Sequence, residues 1–375
     1  VARRITDQVR ESDTVARLGG DEFVVMLDAL ADKPDHAADH ARLVGEKLLA
    51  TIGEPYYIKG LECRSSPSIG ITLFMDHHHT AEEVLRQADL AMYQAKGNGR
   101  NGLRFFDPAM DAEVARRAAL EHDLRSAIEH HQLELHYQAQ VNGRGDTVGA
   151  EALVRWTHPS RGRVSPAEFI PIAEESGLIL PLGAWVLDEA CRQLATWAAH
   201  PQLQRITVAV NISARQIQQE DFVQQVRAAV RRHGIEPRRL KLELTESVLI
   251  SDIQGIADKM VALQLDGIRF ALDDFGTGYS SLSYLKRLPL DQLKIDSSFV
   301  RDILIDPSDK AIARMVISLG HSLELEVIAE GVETEAQSSM LASLGCHRYQ
   351  GYLYGKACAA PAFEALALGA ATAPA

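Results

Sequence analysis

From about residue 206 to residue 353, short apolar runs of strand type alternate with longer amphipathic runs of helix type. The strand candidates are 206–213, 240–244, 269–272, 292–295, 325–329 and 349–353. Between them lie segments such as 222–233, 256–265 and 311–319, with apolar residues at helical spacing. Strands separated by helices pair in parallel, because a parallel neighbour needs a long crossover. A hairpin precedes the alternation, with strands 133–141 and 147–156 around the turn-forming segment 142–146. The whole fills about 250 residues, the usual length of a closed (β/α)8 barrel. An open doubly wound sheet is the alternative.

Polar residues stand at the ends of these runs. Asn211 ends the first, Glu243 and Glu246 lie at the end of the second, and Asp273 and Asp274 close the third. Lys294 lies near the end of the fourth, Glu330 and Glu333 follow the fifth, and Gln350 opens the sixth. Glu151, at the end of the hairpin strand, can join them. In a barrel the C-terminal strand ends converge on one face, so these residues form one pocket. Carboxylates and an amide without His or Cys suit magnesium or manganese rather than zinc. So many acids cannot share a pocket as anions unless cations neutralise them. Two ions about 4 Å apart clamp a phosphate and generate hydroxide, the logic of phosphodiester hydrolysis. Lys294, a compact cation among them, either holds the attacking water or stabilises charge on the phosphate. Taken singly, each acid is explained as a helix cap, and Glu243 with Glu246 or Glu330 with Glu333 as a capping pair. So many polar groups at six successive strand ends are not.

At 375 residues the chain is long enough for two domains. Its formal charge of −12 excludes the broad basic surface that polymeric nucleic acid requires. Cys63, Cys191, Cys346 and Cys358 form no CxxC pair, which excludes a zinc knuckle and fits a reducing cytoplasm. The apolar stretch 178–187 is interrupted by Pro181 and Gly183 and is far shorter than the roughly 20 residues of a membrane span. The chain starts inside a helical-looking segment, which suggests that the N-terminal portion of a longer protein is absent, a portion through which the parent could be anchored to a membrane.

Residues 115–365 resemble the EAL family of cyclic di-GMP phosphodiesterases. The segments that carry the resemblance are Glu151-Ala152-Leu153-Val154-Arg155-Trp156, Asn211-Ile212-Ser213, Glu243-Leu244-Thr245-Glu246, Asp273-Asp274-Phe275-Gly276, Lys294-Ile295-Asp296, Glu330-Gly331-Val332-Glu333 and Gln350-Gly351-Tyr352. The tripeptide alone is weak, since Glu364-Ala365-Leu366 repeats it in a helix-like terminal stretch. The resemblance implies a TIM-like barrel whose first strand is antiparallel, and cleavage of one phosphodiester of cyclic di-GMP to give linear pGpG. It implies two magnesium or manganese ions, one held by Glu151, Asn211, Glu243 and Asp273, the other by Asp273, Asp274 and Glu330. Lys294 then positions the water, and Glu246 anchors the loop after Asp274. Gln138, Leu153, Arg155, Glu333 and Gln350 fall to the substrate site. Ala139 stands where the family commonly has proline, which implies a looser substrate-binding turn and altered affinity. A homodimer formed through the barrel is also implied.

The first 107 residues read as a small α+β unit, with a hairpin over 14–27, a helix over 35–51, two strands over 56–74 broken near Gly60, and a helix over 84–96 capped by Thr80 and Glu83. They resemble the C-terminal part of a GGDEF domain, the diguanylate cyclase fold, through Gly19-Gly20-Asp21-Glu22-Phe23, with Arg10 and Asp13 fitting the family's product-binding inhibitory site. This partial domain can take GTP or cyclic di-GMP as a regulatory ligand. It lacks the family's first metal-binding strand, so the chain is expected to make no cyclic di-GMP. A helix over 108–131 joins the two parts, and 366–375 form a tail. Residues 77–79 are three consecutive histidines that read as a solvated loop. The rival to hydrolysis is a catalytically silent cyclic di-GMP receptor, and a different metal-dependent barrel enzyme is a third reading.

Overall fold

The computed structural model describes residues 1–28, 30, 34–74, 79–97, 99–130, 132–246, 248, 253–276, 285 and 287–369. It divides into two units, Val1–Ala119 and Leu120–Ala375.

In the first unit, strands Thr14–Gly19 and Glu22–Met26 form an antiparallel hairpin, and Gly20 supplies the positive φ of +50° that its turn needs. Helix Pro34–Gly53 follows. The stretch expected as two strands holds three. Tyr56–Ile58 and Leu61–Cys63 form a hairpin turning at Lys59 and Gly60, and Ile69–Ile71 pairs in parallel with Leu103–Phe105. Helix Ala81–Gly97 carries the expected capping exchange: the Thr80 amide donates to Glu83 Oε2 at 2.8 Å and the Glu83 amide to Thr80 Oγ1 at 3.2 Å. Its buried core is small, centred on Ile5, Leu48 and Ile52. His77 and His78 lie outside the described residues.

The second unit is a closed barrel of eight strands: β1 (Leu133–Asn142), β2 (Thr147–His158), β3 (Thr207–Ile212), β4 (Leu240–Thr245), β5 (Arg269–Phe275), β6 (Gln292–Ile295), β7 (Glu326–Ala329) and β8 (Arg348–Gln350). Strands β2 to β8 run parallel in sequence order. Strand β1 closes the ring antiparallel to both β2 and β8, which excludes the open sheet. Helices Ile179–Ala198, Phe222–His233, Ile253–Leu265 and Pro307–Ser322 are amphipathic in sequence and bury one face. Pro181 and Gly183 do not break the apolar stretch. Pro181 lies in the first turn of its helix, where its missing N–H costs nothing. Among the described residues no helix is long and apolar enough to cross a membrane.

Strand β8 is shorter than the sequence implies because the chain turns at Gly351. A Cβ there would fall 2.1 Å from the Val332 carbonyl oxygen, so only glycine lets the backbones pass. The turn expected at Ala139 is absent as well. Ala139 is buried in mid-strand in β1, opposite Ala150. Period-two alternation sorts β1 into an outward apolar set and an inward polar one. Tyr137 packs on Trp197 and Phe363, while Gln138 and Gln140 face the barrel axis. Glu364, in the repeated tripeptide, accepts from the Trp197 indole at 2.8 Å and is a packing element on helix Ala360–Ala367.

At the N-terminal floor of the barrel, buried Lys241 donates to Gln292 Oε1 at 2.7 Å, and burial pushes its ammonium down to about 8. Lys241→Met keeps the length and removes the buried charge. It avoids the cavity but leaves Gln292 Oε1 without its donor, so its urea midpoint is expected to lie between those of the parent and of Lys241→Ala. Lys241→Ala leaves a cavity and an unpaired Gln292 oxygen, and is expected to cost about 3 kcal/mol.

Candidate metal centre

The second-strand acid, Glu151, opposes Ala209 of β3. Asn211 opposes Glu243, and Thr245 opposes Asp273. This register raises one carboxylate or amide per strand toward the same mouth. On β5 two successive acids point there, which a regular strand forbids because its side chains alternate. The β5–β6 register slips between Leu272 and Phe275, and Asp274 adopts φ +54°. The bulge turns both carboxylates to one side, and Asp tolerates the left-handed region better than most residues.

Lys294, fully buried, is the hub. Its Nζ lies 2.5 Å from Glu243 Oε2, 2.9 Å from Asp273 Oδ2, 2.6 Å from Glu330 Oε1 and 3.7 Å from Glu151 Oε2. The Glu330 contact is a charge contact without hydrogen-bond alignment. Two triads offer ligand atoms within 4.8 Å of one another: Glu151, Glu243 and Asp273, then Asp273, Asp274 and Glu330. Asp273 belongs to both. Five ionised carboxylates against one ammonium leave an excess of four negative charges, which is the charge of two divalent cations.

The electrostatics reflect that excess. Burial raises the Glu243 carboxyl to about 7 against the pull of Lys294, with Glu151 and Asp273 adding to the rise. Burial also lifts Asp274 to about 6, with Asp273 and Asp296 contributing, and holds Glu330 well above its ordinary value. Glu151 goes the other way. Burial opposes its charged form, but Lys294 and the amides of Gln350 and Asn211 outweigh it. Burial likewise opposes the charge on Lys294, and the surrounding carboxylates overcome it, so the ammonium stays protonated. Glu243 Oε1 is buried with no hydrogen-bond partner. Such an oxygen needs a cation or a proton. An all-oxygen donor set of this kind fits hard divalent ions.

Residues 121–357 match the family model described as the EAL domain. The chain belongs to the EAL family. Residues 1–102 match the diguanylate cyclase GGDEF domain, so a GGDEF portion precedes the EAL barrel. The bifunctional diguanylate cyclase/cyclic di-GMP phosphodiesterase MucR of Pseudomonas aeruginosa is 46% identical over 359 residues, 95% of this chain and 51% of that protein. The cyclic di-GMP phosphodiesterase PdeR of Escherichia coli is 38% identical over 364 residues, 97% of this chain and 54% of that one. The chain thus spans about half the length of the curated relatives it matches. A solved structure described as PaMucR phosphodiesterase in complex with c-di-GMP superposes with a TM-score of 0.63 at 46% identity, covering 65% of this chain and 99% of that one. The EAL domain of Mycobacterium smegmatis DcpA gives 0.54 at 36% identity, covering 64% and 96%.

Other residues singled out by sequence take varied places in the EAL barrel. Leu153 and Arg155 share the face of β2 that carries Glu151, one and two steps nearer the mouth. Gln138 accepts from Gln350 Nε2 at 3.2 Å. Glu246, buried, accepts from the Gly276 amide at 3.3 Å, at the start of the segment after Asp274; residues 277–284 lie outside the description. Glu333 is exposed, and the cap beside it is the Thr334–Gln337 box rather than a Glu330–Glu333 pair. In the GGDEF portion Asp21 and Glu22 are exposed and Phe23 is half-buried, while Asp13 accepts from the Arg10 and Asp28 amides at 2.7 and 3.1 Å, bracing the hairpin. Gln140 was not singled out, although its alternation with Gln138 on β1 signals an inward position.

Proposed function

We propose that residues 115–365 hydrolyse cyclic di-GMP to linear pGpG, with 108–131 joining that barrel to the GGDEF portion. The observation that carries the reading is the pair of carboxylate triads sharing Asp273 around buried Lys294. Magnesium or manganese ions, held by Glu151, Asn211, Glu243 and Asp273 and by Asp273, Asp274 and Glu330, would supply Lewis acidity at the phosphate and a water acidic enough to attack it. Lys294, protonated and locked among acids, cannot serve as a base; it donates hydrogen bonds that orient the attacking water and stabilise charge gathering on the phosphoryl oxygens. Water adds to phosphorus, the bond to one ribose 3′-oxygen breaks, and that oxygen takes a proton, leaving a 5′-phosphate and a free 3′-hydroxyl. Arg155, half-buried above Glu151, offers its guanidinium to a phosphate, and the family resemblance supports assigning Gln138, Leu153, Glu333 and Gln350 to the substrate site as well. Glu246 ties down Gly276 and with it the start of the segment beyond Asp274.

Chromatography of products after incubation with cyclic di-GMP and manganese tests this. Accumulation of pGpG, abolished by chelator and by Glu151→Ala, is expected. Tight binding without turnover in either metal would make the chain a receptor instead.

A further inference from the structure

One buried amide outside the residues given a role above controls how another faces the acids. Gln350 spends both N–H groups of its side chain, donating to Glu151 Oε2 at 2.5 Å and to Gln138 Oε1 at 3.2 Å. Its oxygen accepts from Gln140 Nε2 at 3.0 Å. Gln140 is 2% exposed and lies opposite Gly149 on β2. A Cβ at Gly149 would fall 3.1 Å from Gln140 Oε1, so the missing side chain makes room for the amide. The far side of Glu151 is fixed too, since Asn211 Nδ2 donates to Glu151 Oε1 at 2.7 Å.

An amide has one donor end and one acceptor end, and a donor placed against its oxygen decides which end faces elsewhere. We propose that Gln140 is a positioning residue of this site: by donating to Gln350 it holds the Gln350 N–H groups toward Glu151 and so fixes the Glu151 carboxylate for ion binding. The proposal rests on the ion-holding role given to Glu151 above. Outer partners of this kind change metal affinity or activity about 10–100-fold when lost.

Three variants of the full chain separate donation from space-filling. Gln140→Met keeps the volume and removes the donor, Gln140→Glu replaces the donor by an acceptor, and Gln140→Lys restores a donor. Manganese affinity is read by calorimetry without substrate, and kcat and KM are read with cyclic di-GMP. Relative to the parent, Gln140→Met is expected to bind manganese about tenfold more weakly and Gln140→Glu about a hundredfold, with Gln140→Lys within about threefold. The kcat is expected to follow the same order at unchanged KM. If Gln140→Met binds manganese as the parent does, or if Gln140→Lys binds more weakly than Gln140→Met, Gln140 only fills space and the proposal fails. Because calorimetry needs no turnover, a parent that binds manganese but leaves cyclic di-GMP intact overturns the hydrolytic reading and not this one.

Discussion

Lys294→Met is expected to lose about a thousandfold in kcat with little change in nucleotide affinity, the size of effect seen when a positioned donor to a developing anion is removed. The same change has a second consequence. Lys294 is the neutralising group for Glu243, Asp273 and Glu330 at 2.5 to 2.9 Å and for Glu151 at 3.7 Å. Breaking a buried pair by deleting one partner costs about 3–5 kcal/mol, because the remaining charge stays buried. In chelator, the variant should therefore melt roughly ten degrees below the parent. Manganese should raise the melting temperature of the variant more than that of the parent, since ions take over the neutralisation. Scanning fluorimetry with and without manganese reads both. A variant that keeps its turnover, or melts with the parent in chelator, removes Lys294 from the mechanism.

Asp273→Asn should be the most damaging single change among the ligand set. Asp273 belongs to both triads, whereas Glu151 and Glu243 serve one and Asp274 and Glu330 the other. Calorimetric titration with manganese is expected to show two ions in the parent, one in Asp274→Asn and none in Asp273→Asn. Each ion contributes several kcal/mol of charge stabilisation, so kcat for Asp273→Asn should fall about ten-thousandfold or more. If Asp273→Asn still binds one ion tightly, the triads do not share it and the assignment of ligands is wrong.

The barrel was legible because its strands are bounded by residues of opposite habit. Strand β6 was read to the residue, while β5 continues past its apolar part through the two acids. Depth inside the barrel was not legible. Lys241 and Glu243 are two apart on one strand and face the same interior, yet one step along β4 separates a floor network from the acidic mouth. Alternation gives the face and not the height. Nor could sequence show that Asp273 and Asp274 both turn inward, which depends on the bulge and the left-handed Asp274. The substrate-site role of Glu333 came from resemblance alone; it is exposed, with Thr334 beside it capping the next helix. Gln140 escaped notice because an inward glutamine on a barrel strand carries no signature until its neighbours are known.

The reversed first strand has a mechanical meaning. In a ring of eight parallel strands the chain would come in at the floor. Here β1 starts at the rim: Leu133 opposes Trp156, and Glu134 opposes Arg155. Helix Pro108–Glu129 ends four residues before Leu133, with Leu120 and Leu124 fully buried in the barrel unit. A displacement of the end of that helix would therefore be felt at the rim beside Arg155, not on the far side of the core. The chain thus enters the barrel on the same face that bears the carboxylate triads.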